Sequence, residues 1–146
     1  MAIGLALVAI IPLKRHGEVF AENAPPNRAR WDLSREIRSL SNGETKLVVI
    51  GEWTKHAGGY DVSPVLYYYS GLQGWTLTPP KWNLGEIERL RENGATLFVA
   101  VPPYEVDPMA SQPDDSQQPF LDEMRSRFPL LYENKGQLIF DITRER

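Results

Sequence analysis

Two kinds of apolar segment take turns along the chain. Some are short continuous apolar runs, and others are longer stretches with apolar residues at helical spacing. Residues 47–50 and residues 95–101 are apolar runs without alternation, which is typical of strands covered on both faces. Between them, residues 63–72 have apolar side chains at helical spacing after a Ser-Pro pair, which suits the start of a helix. Strand, helix and strand in this order predict a βαβ unit and therefore a parallel sheet.

Three more helices are predicted from the same spacing and from residues that begin or end a helix. Residues 27–40 form one helix with a single apolar stripe. Asn83, with Glu86 three residues later, has the capping-box pattern of a second helix, and residues 120–128 have the apolar spacing of a third. Gly74 is predicted to end the helix that begins at the Ser-Pro pair.

Three more strands complete the pattern. Residues 76–78 form a short one, and residues 130–133 and 137–143 form two strands joined by a tight turn in which Gly136 takes the left-handed position. We therefore predict an α/β fold, a three-layer sandwich whose mostly parallel sheet has about five strands in the order 2-1-3-4-5. The last strand is antiparallel to the fourth, and the architecture is flavodoxin-like or Rossmann-like. Residues 144–146 are predicted to be a solvated tail.

The chain divides into three parts. Residues 1–13 are apolar but too few to span a membrane alone, which takes about 20 residues. They form a strand or core helix, the end of a transmembrane helix, or a segment lying on a membrane. Residues 14–26 are a linker, and residues 27–146 are a single α/β domain. The Lys14-Arg15 pair favours a cytoplasmic domain after a lone signal anchor, although earlier helices of a multi-span protein could override that bias.

Composition narrows the chemistry. The chain has 146 residues, enough for one domain with its own core. It has no cysteine, which excludes disulfides, thiolate chemistry and zinc ribbons. Its net charge of −3 argues against a nucleic-acid partner. The two histidines, His16 and His56, lie far apart in the sequence, so no metal site is expected. No cofactor is assigned either.

A ligand crevice is predicted where strands one and three diverge, because open α/β sheets bind ligands beyond the carboxyl ends of their strands. Residues 51–61 and 102–107 follow those strands. The candidate residues for a ligand or partner crevice are Glu52, Trp53, Lys55, His56, Tyr60, Tyr104, Glu105 and Asp107. A carboxylate pair across the two segments could do acid–base work if they converge, but no catalytic residue is assigned.

Aromatic residues offer a second candidate surface. Tyr67, Tyr68 and Tyr69 lie on one helix and point about 100° apart, so at most two of them can be buried. The exposed remainder could form a patch with tryptophans for a sugar, a lipid head group or a partner domain. The tryptophans considered are Trp53, Trp75 and Trp82.

Four segments of the chain carry a family resemblance: VVIGE at residues 48–52, SPVLYY at 63–68, the Gly74-Trp75 pair, and Leu90 followed by GATLFV at 94–99. Together they resemble the soluble C-terminal domain of multi-span membrane glycosyltransferases. These enzymes use polyprenyl-phosphate sugars and are related to protein mannosyltransferases and aminoarabinose transferases. Residues 102–119 have no counterpart in the resemblance.

The resemblance implies an accessory, non-catalytic domain on the extracytoplasmic face of a membrane. Its partners would be the membrane-embedded portion of the same polypeptide and a lipid-linked sugar or acceptor. The family's catalytic acids lie in that membrane portion, so none is carried over to this chain. Residues 1–13 would be the end of a final transmembrane helix.

Two other functions remain open from the sequence. One is a stand-alone flavodoxin-like binding module or small enzyme for a nucleotide or sugar phosphate, bound at the switch-point crevice. The other is a structural or interaction domain that uses the exposed tyrosines and the acidic loop within residues 102–119.

Overall fold

The computed structural model describes residues 25–41, 47–52, 63–101 and 117–146. These ranges contain four α-helices, one 3-10 turn and five strands. In chain order they are α1 (Pro25–Leu40), β1 (Leu47–Glu52), α2 (Ser63–Ser70), β2 (Gln73–Leu77), the 3-10 turn (Pro79–Lys81), α3 (Leu84–Glu92), β3 (Ala95–Val101), α4 (Gln118–Arg127), β4 (Leu130–Asn134) and β5 (Gln137–Asp141).

The five strands form one mixed sheet in the order β2-β1-β3-β5-β4. β1 pairs in parallel with β2 on one side and with β3 on the other, so that Val49 lies between Trp75 and Phe98. β5 pairs antiparallel with β3 and with β4. Parallel pairing therefore occupies one half of the sheet, and β3, β5 and β4 form a three-stranded antiparallel unit.

The predicted fold class is wrong. The sheet is not mostly parallel, since two of its four pairings are antiparallel, and it is not a flavodoxin-like or Rossmann-like sheet in the order 2-1-3-4-5. β5 takes the interior place that the prediction gave to the fourth strand. The burial of the two strands matches the exchange: β5 is buried from Gln137 to Phe140, whereas all five residues of β4 are exposed or half-buried. The apolar run at residues 138–140 of β5 suits an interior strand, whereas the exposed polar residues Glu133 and Asn134 of β4 suit an edge.

Helices cover both faces of the sheet, and β3 shows why. Its side chains alternate between two buried clusters: Leu97, Val99 and Val101 pack with α1 and α2, and Phe98 and Ala100 pack with α3 and α4. Because successive side chains of a strand point to opposite faces, an entirely apolar strand needs a covering layer on each side. The result is a helix–sheet–helix arrangement with β3 at its centre.

Helix α3 begins at the predicted cap, but only half of the capping box forms. The side-chain oxygen of Asn83 accepts a hydrogen bond from the backbone N–H of Glu86 at 2.9 Å. The Glu86 carboxylate does not return the bond; it pairs with Arg89 at 2.6 Å, one turn further along the helix. The Asn83 N–H instead donates to the carbonyl of Lys81 at 3.0 Å. The cap is therefore supplied by the asparagine alone.

Helix α2 ends earlier than predicted. Its last residue is Ser70, and Gly71 takes the left-handed conformation with φ +70°. Gly74, the predicted end of this helix, lies instead in β2 and pairs with Val48. A hydrogen bond from the Gly71 N–H to the Tyr67 carbonyl, at 2.9 Å, closes the last turn.

The β4–β5 hairpin has a two-residue turn, and Gly136 has the predicted left-handed conformation at φ +81°. Lys135 shares it at φ +47°, which the sequence analysis did not predict. Two successive residues with positive φ are typical of a type I′ turn, whose twist matches that of the flanking strands. This turn fixes β4 and β5 as direct neighbours.

The last residues of the chain are not merely a solvated tail. Glu88, Arg91, Arg127 and Glu145 form a closed ring of alternating charges, called here the ion ring, with N···O distances of 3.1, 3.2, 2.9 and 2.6 Å around it. The Arg146 N–H also donates to the Arg127 carbonyl at 2.9 Å. The ion ring joins the C-terminal turns of α3 and α4 to the chain terminus, where cations also favour the helix dipoles.

We expect Gly71→Ala to lower the free energy of unfolding by about 1 kcal/mol, because a residue with a Cβ is strained in the left-handed region. No heavy atom outside the local backbone lies within 4 Å of an added Cβ. The lost stability therefore comes from the local backbone conformation and not from a clash with a neighbouring side chain. Gly71→Asn is the matched control and should lose less, since asparagine tolerates this conformation. Urea denaturation measures both; equal losses would contradict the explanation.

The ion ring predicts a pH dependence. Hydrogen bonds from Arg127 and then from Arg91 lower the pKa of the Glu145 carboxyl below its ordinary value of 4.5. A pKa that is lower in the folded chain stabilises the fold above the unfolded pKa, and this contribution is lost as the pH falls through the folded pKa. Glu145→Gln should therefore destabilise the chain at pH 7 and make little difference in strong acid.

The control for this experiment is Glu92→Gln, which removes an exposed carboxylate of α3 that has no ion pair among the described residues. It should leave the urea midpoint nearly unchanged at both pH values. A Glu145→Gln effect that persists at low pH would show that the glutamate acts through packing and not through its charge.

Candidate functional site

The carboxyl edge of the sheet is where β1 and β3 end side by side. In the parallel register Glu52 is the partner of Val101, and these are the last residues of the two strands. The two segments of the predicted crevice, which continue from these residues, therefore leave the sheet from adjacent positions on one edge. Helices α2 and α3, which follow β1 and β2, pack on opposite faces, which is the condition for a switch point between β1 and β3.

Of the eight predicted crevice residues, only Glu52 lies in the described part of the chain, where its backbone ends β1. The crevice itself therefore stays a prediction. The other seven residues lie outside the described residues: Trp53, Lys55, His56, Tyr60, Tyr104, Glu105 and Asp107.

Two further connections reach the same edge. β2 ends there and continues into the 3-10 turn, whose Lys81 is exposed. The hairpin turn of β4 and β5 also lies there, because Leu138 pairs with Ala100 near the end of β3. Beside it the side chain of Gln137 is buried, with 3% of its surface exposed. The described rim of the edge includes two exposed lysines, Lys81 and Lys135.

Trp82 lies in the core and does not contribute to an exposed aromatic patch. It is 6% exposed, its indole N–H donates to the Leu77 carbonyl at 3.1 Å, and its ring meets Phe98 edge-on with centroids 5.7 Å apart. A buried indole whose N–H is satisfied stabilises the fold. Trp75 is half-buried against the same core cluster.

The described residues provide no grouping of reactive side chains. Across residues 25–41, 47–52, 63–101 and 117–146, no three His, Cys, Asp or Glu residues gather as metal ligands. In these ranges, the carboxyls with a shifted pKa belong to surface ion pairs: the pKa of Glu86 is lowered by its hydrogen bond to Arg89, and that of Glu145 by the ion ring. Neither arrangement resembles an acid–base pair set in a cleft.

The tyrosines of α2 divide as helical geometry requires. Tyr68 is 76% exposed, whereas Tyr67 and Tyr69 are half-buried. The Tyr67 hydroxyl donates to the Trp75 carbonyl at 2.5 Å, which ties α2 to β2. Tyr68 is the most exposed large hydrophobic side chain in the described part of the chain.

Trp31 of α1 completes this surface. Its ring meets that of Tyr69 edge-on with centroids 5.1 Å apart, and Tyr69 meets Tyr68 at 5.6 Å. Three aromatic rings from two helices therefore form one patch, called here the aromatic patch. Trp31 is not among the residues predicted for this surface, although its position between arginines on α1 is visible in the sequence.

The chain matches no family model, no curated protein and no solved structure. Of the helices in the described ranges, none combines the length and the apolar character needed to cross a membrane.

We expect Tyr68→Ala to change the free energy of unfolding by less than about 0.5 kcal/mol, since the side chain is mostly in water. Tyr67→Phe, which removes only a hydroxyl, should cost about 1 kcal/mol because it breaks the bond to the Trp75 carbonyl. Urea denaturation compares the two variants. A larger loss for Tyr68→Ala would show that this ring supports the fold.

Proposed function

We propose that the chain is an accessory, non-catalytic domain of a membrane-bound glycosyltransferase that takes a sugar from a polyprenyl-phosphate donor. One observation supports this most directly. The four segments that resemble this family fall on consecutive elements of one unit, β1, α2, β2, α3 and β3, which is the parallel half of the sheet. The resembling positions therefore belong to one packed unit of the fold.

Within that unit the resembling positions are mostly packing positions. Leu66, Leu90 and Phe98 are fully or almost fully buried, and the Trp75 carbonyl receives the Tyr67 hydroxyl. Buried apolar side chains of this kind specify a fold and carry out no reaction. A helper role for the domain is consistent with this, with the chemistry assigned to the membrane-embedded portion of the same polypeptide.

Tyr68 is the exception in the unit, because it lies within a resembling segment and is exposed to solvent. Tyrosine is one of the residues enriched at protein interfaces, so an exposed tyrosine at the edge of a small aromatic patch is typical of a contact surface. We assign it to contact with the membrane-embedded portion, a lipid-linked sugar or an acceptor. Together with the family resemblance, this role leads us to propose that the domain lies on the extracytoplasmic face of the membrane.

A second candidate function is a binding module or small enzyme for a nucleotide or sugar phosphate. The adjacent ends of β1 and β3 at Glu52 and Val101 favour it, because such an edge is where α/β sheets bind ligands. A ligand present at 100 times its dissociation constant should stabilise the chain by about 2.7 kcal/mol. A thermal-shift series with nucleotides and sugar phosphates that gives no stabilisation would exclude this function.

The accessory role predicts three results. The reading frame upstream of Met1 should encode several hydrophobic spans. Membranes that contain the full-length protein should transfer sugar from a polyprenyl-phosphate donor, and the 146-residue chain alone should transfer none.

Replacing Tyr68 with alanine in the full-length protein should slow transfer by about tenfold, the factor that corresponds to a contact of about 1.4 kcal/mol.

The control is Leu131→Ala, which removes the other large exposed hydrophobic side chain of the described residues, 37% exposed on β4. It should leave transfer unchanged at equal protein levels in the membrane. Transfer by the isolated chain would overturn the accessory role, and so would an upstream frame without hydrophobic spans.

A further inference from the structure

Helix α1 displays three arginines along one side. Arg28, Trp31, Arg35 and Arg38 follow one another at intervals of three, four and three residues, and at 100° per residue they fall within about 80° of the helix circumference. All three arginines are exposed and Trp31 is half-buried. These four residues are called here the α1 stripe.

The charges of the α1 stripe are not neutralised within the described chain. Its three arginines have no ion pair with any carboxylate in residues 25–41, 47–52, 63–101 or 117–146. The arginines of the opposite layer are all paired: Arg89, Arg91, Arg125 and Arg127 each lie within 4.0 Å of a carboxylate. Within the described ranges, therefore, the charges of the α1 stripe have no carboxylate partner.

Charge is distributed unevenly over the molecule. α1 contains four arginines and two carboxylates and so carries +2, whereas the whole chain carries −3 and the remainder therefore −5. The fourth arginine, Arg30, lies outside the arc of about 80° that defines the α1 stripe. Its Nε is buried and has no hydrogen-bond partner among the described residues. Positive charge is thus presented on one helix face of an otherwise acidic chain.

The aromatic patch adjoins the α1 stripe through Trp31, which belongs to both. Tyrosine and tryptophan have an apolar ring with a polar tip, and they are enriched where protein meets the head groups of a bilayer. Guanidinium groups bind phosphate oxygens in a fixed fork geometry, and basic residues beside a bilayer are attracted by anionic lipids. Both kinds of side chain occur together on this face.

We propose that the α1 stripe and Tyr68 lie against a membrane surface that displays anionic lipid phosphates. Charge complementarity selects this occupant over a second copy of the chain, since a symmetric contact through this face would bring arginines against arginines. The inference deepens the proposed function and rests on it only for the presence of a membrane beside the domain.

The test is vesicle binding by the 146-residue chain, with the triple variant Arg28→Gln/Arg35→Gln/Arg38→Gln. On vesicles of phosphatidylcholine with a share of phosphatidylglycerol, affinity should fall about fivefold for each arginine and about a hundredfold for all three. Adding Tyr68→Ala to the triple variant should weaken its binding to these vesicles further. Molar salt should remove the difference between variant and wild type, because it shortens the screening length to about 3 Å.

The matched control is Arg89→Gln/Arg125→Gln/Arg144→Gln, which removes the same charge from exposed or half-buried arginines that are paired in the structure. Its vesicle affinity should fall much less. Both triple variants keep residues 1–13, so any binding by that apolar segment cancels in the comparison. Circular dichroism and urea denaturation verify that each variant is folded.

Several results would overturn the inference. Equal losses for the two triple variants would show an effect of net charge alone. Unchanged binding of the α1 stripe variant, or equal binding of wild type to vesicles of pure phosphatidylcholine, would remove the anionic surface as occupant. Displacement by inorganic phosphate, but not by chloride at equal ionic strength, would indicate a site for a single free anion. Concentration-dependent dimers that Tyr68→Ala abolishes would indicate contact between copies.

The outcome is separable from that of the proposed function. Stripe-dependent vesicle binding by a chain whose upstream frame encodes no hydrophobic spans would keep this inference and reject the glycosyltransferase role. Sugar transfer by the full-length protein without stripe-dependent vesicle binding would do the reverse.

Discussion

The structure depends on the burial of β3 on both of its faces. Strand β3 carries apolar side chains in every position but Thr96, and a polypeptide can remove such a strand from water only by covering the sheet on both sides. Helices α1 and α2 supply one cover, and helices α3 and α4 supply the other. The neighbours of β3 are then determined by which remaining strands can also be interior, and β1 and β5 take those places. This strand order also positions the ends of β1, β2 and β3 and the β4–β5 turn at the carboxyl edge of the sheet.

Much of the local structure was readable from the sequence because local rules decide it. The apolar run of β3 gave its bounds, Asn83 marked the start of α3, and Gly136 marked the hairpin turn. The wrong predictions concern features that are decided by contacts between distant parts of the chain. Gly71 and Gly74 are both plausible helix ends, and only the packing of β2 beside β1 decides between them. The exchange of β4 and β5 likewise depends on which strand of a hairpin presents the more apolar faces to the rest of the sheet.

The candidate surfaces differ in how far sequence could predict them. A topological rule was enough to place the ends of β1 and β3 together, although the side chains beyond those ends belong to segments outside the described residues. The exposure of one tyrosine among three followed from the geometry of a helix. The role of Trp31 could not be predicted, because its ring meets a residue of another helix, 38 positions further along the chain. Ion pairs such as the ion ring are similarly invisible, since Glu145 reads as a charged residue in a tail.

The turn between β4 and β5 bears on how the sheet is assembled. With only Lys135 and Gly136 between the two strands, bringing them together closes a very short loop and orders few residues. Pairing β5 with β3 closes a far longer stretch of chain, and the entropy lost grows with that length. The hairpin is therefore the part of the sheet with the smallest entropic cost, and β3 gains its antiparallel neighbour only when distant parts of the chain meet. The antiparallel half of the sheet therefore contains both the β4–β5 pairing, which loses the least chain entropy, and the β3–β5 pairing, which loses much more.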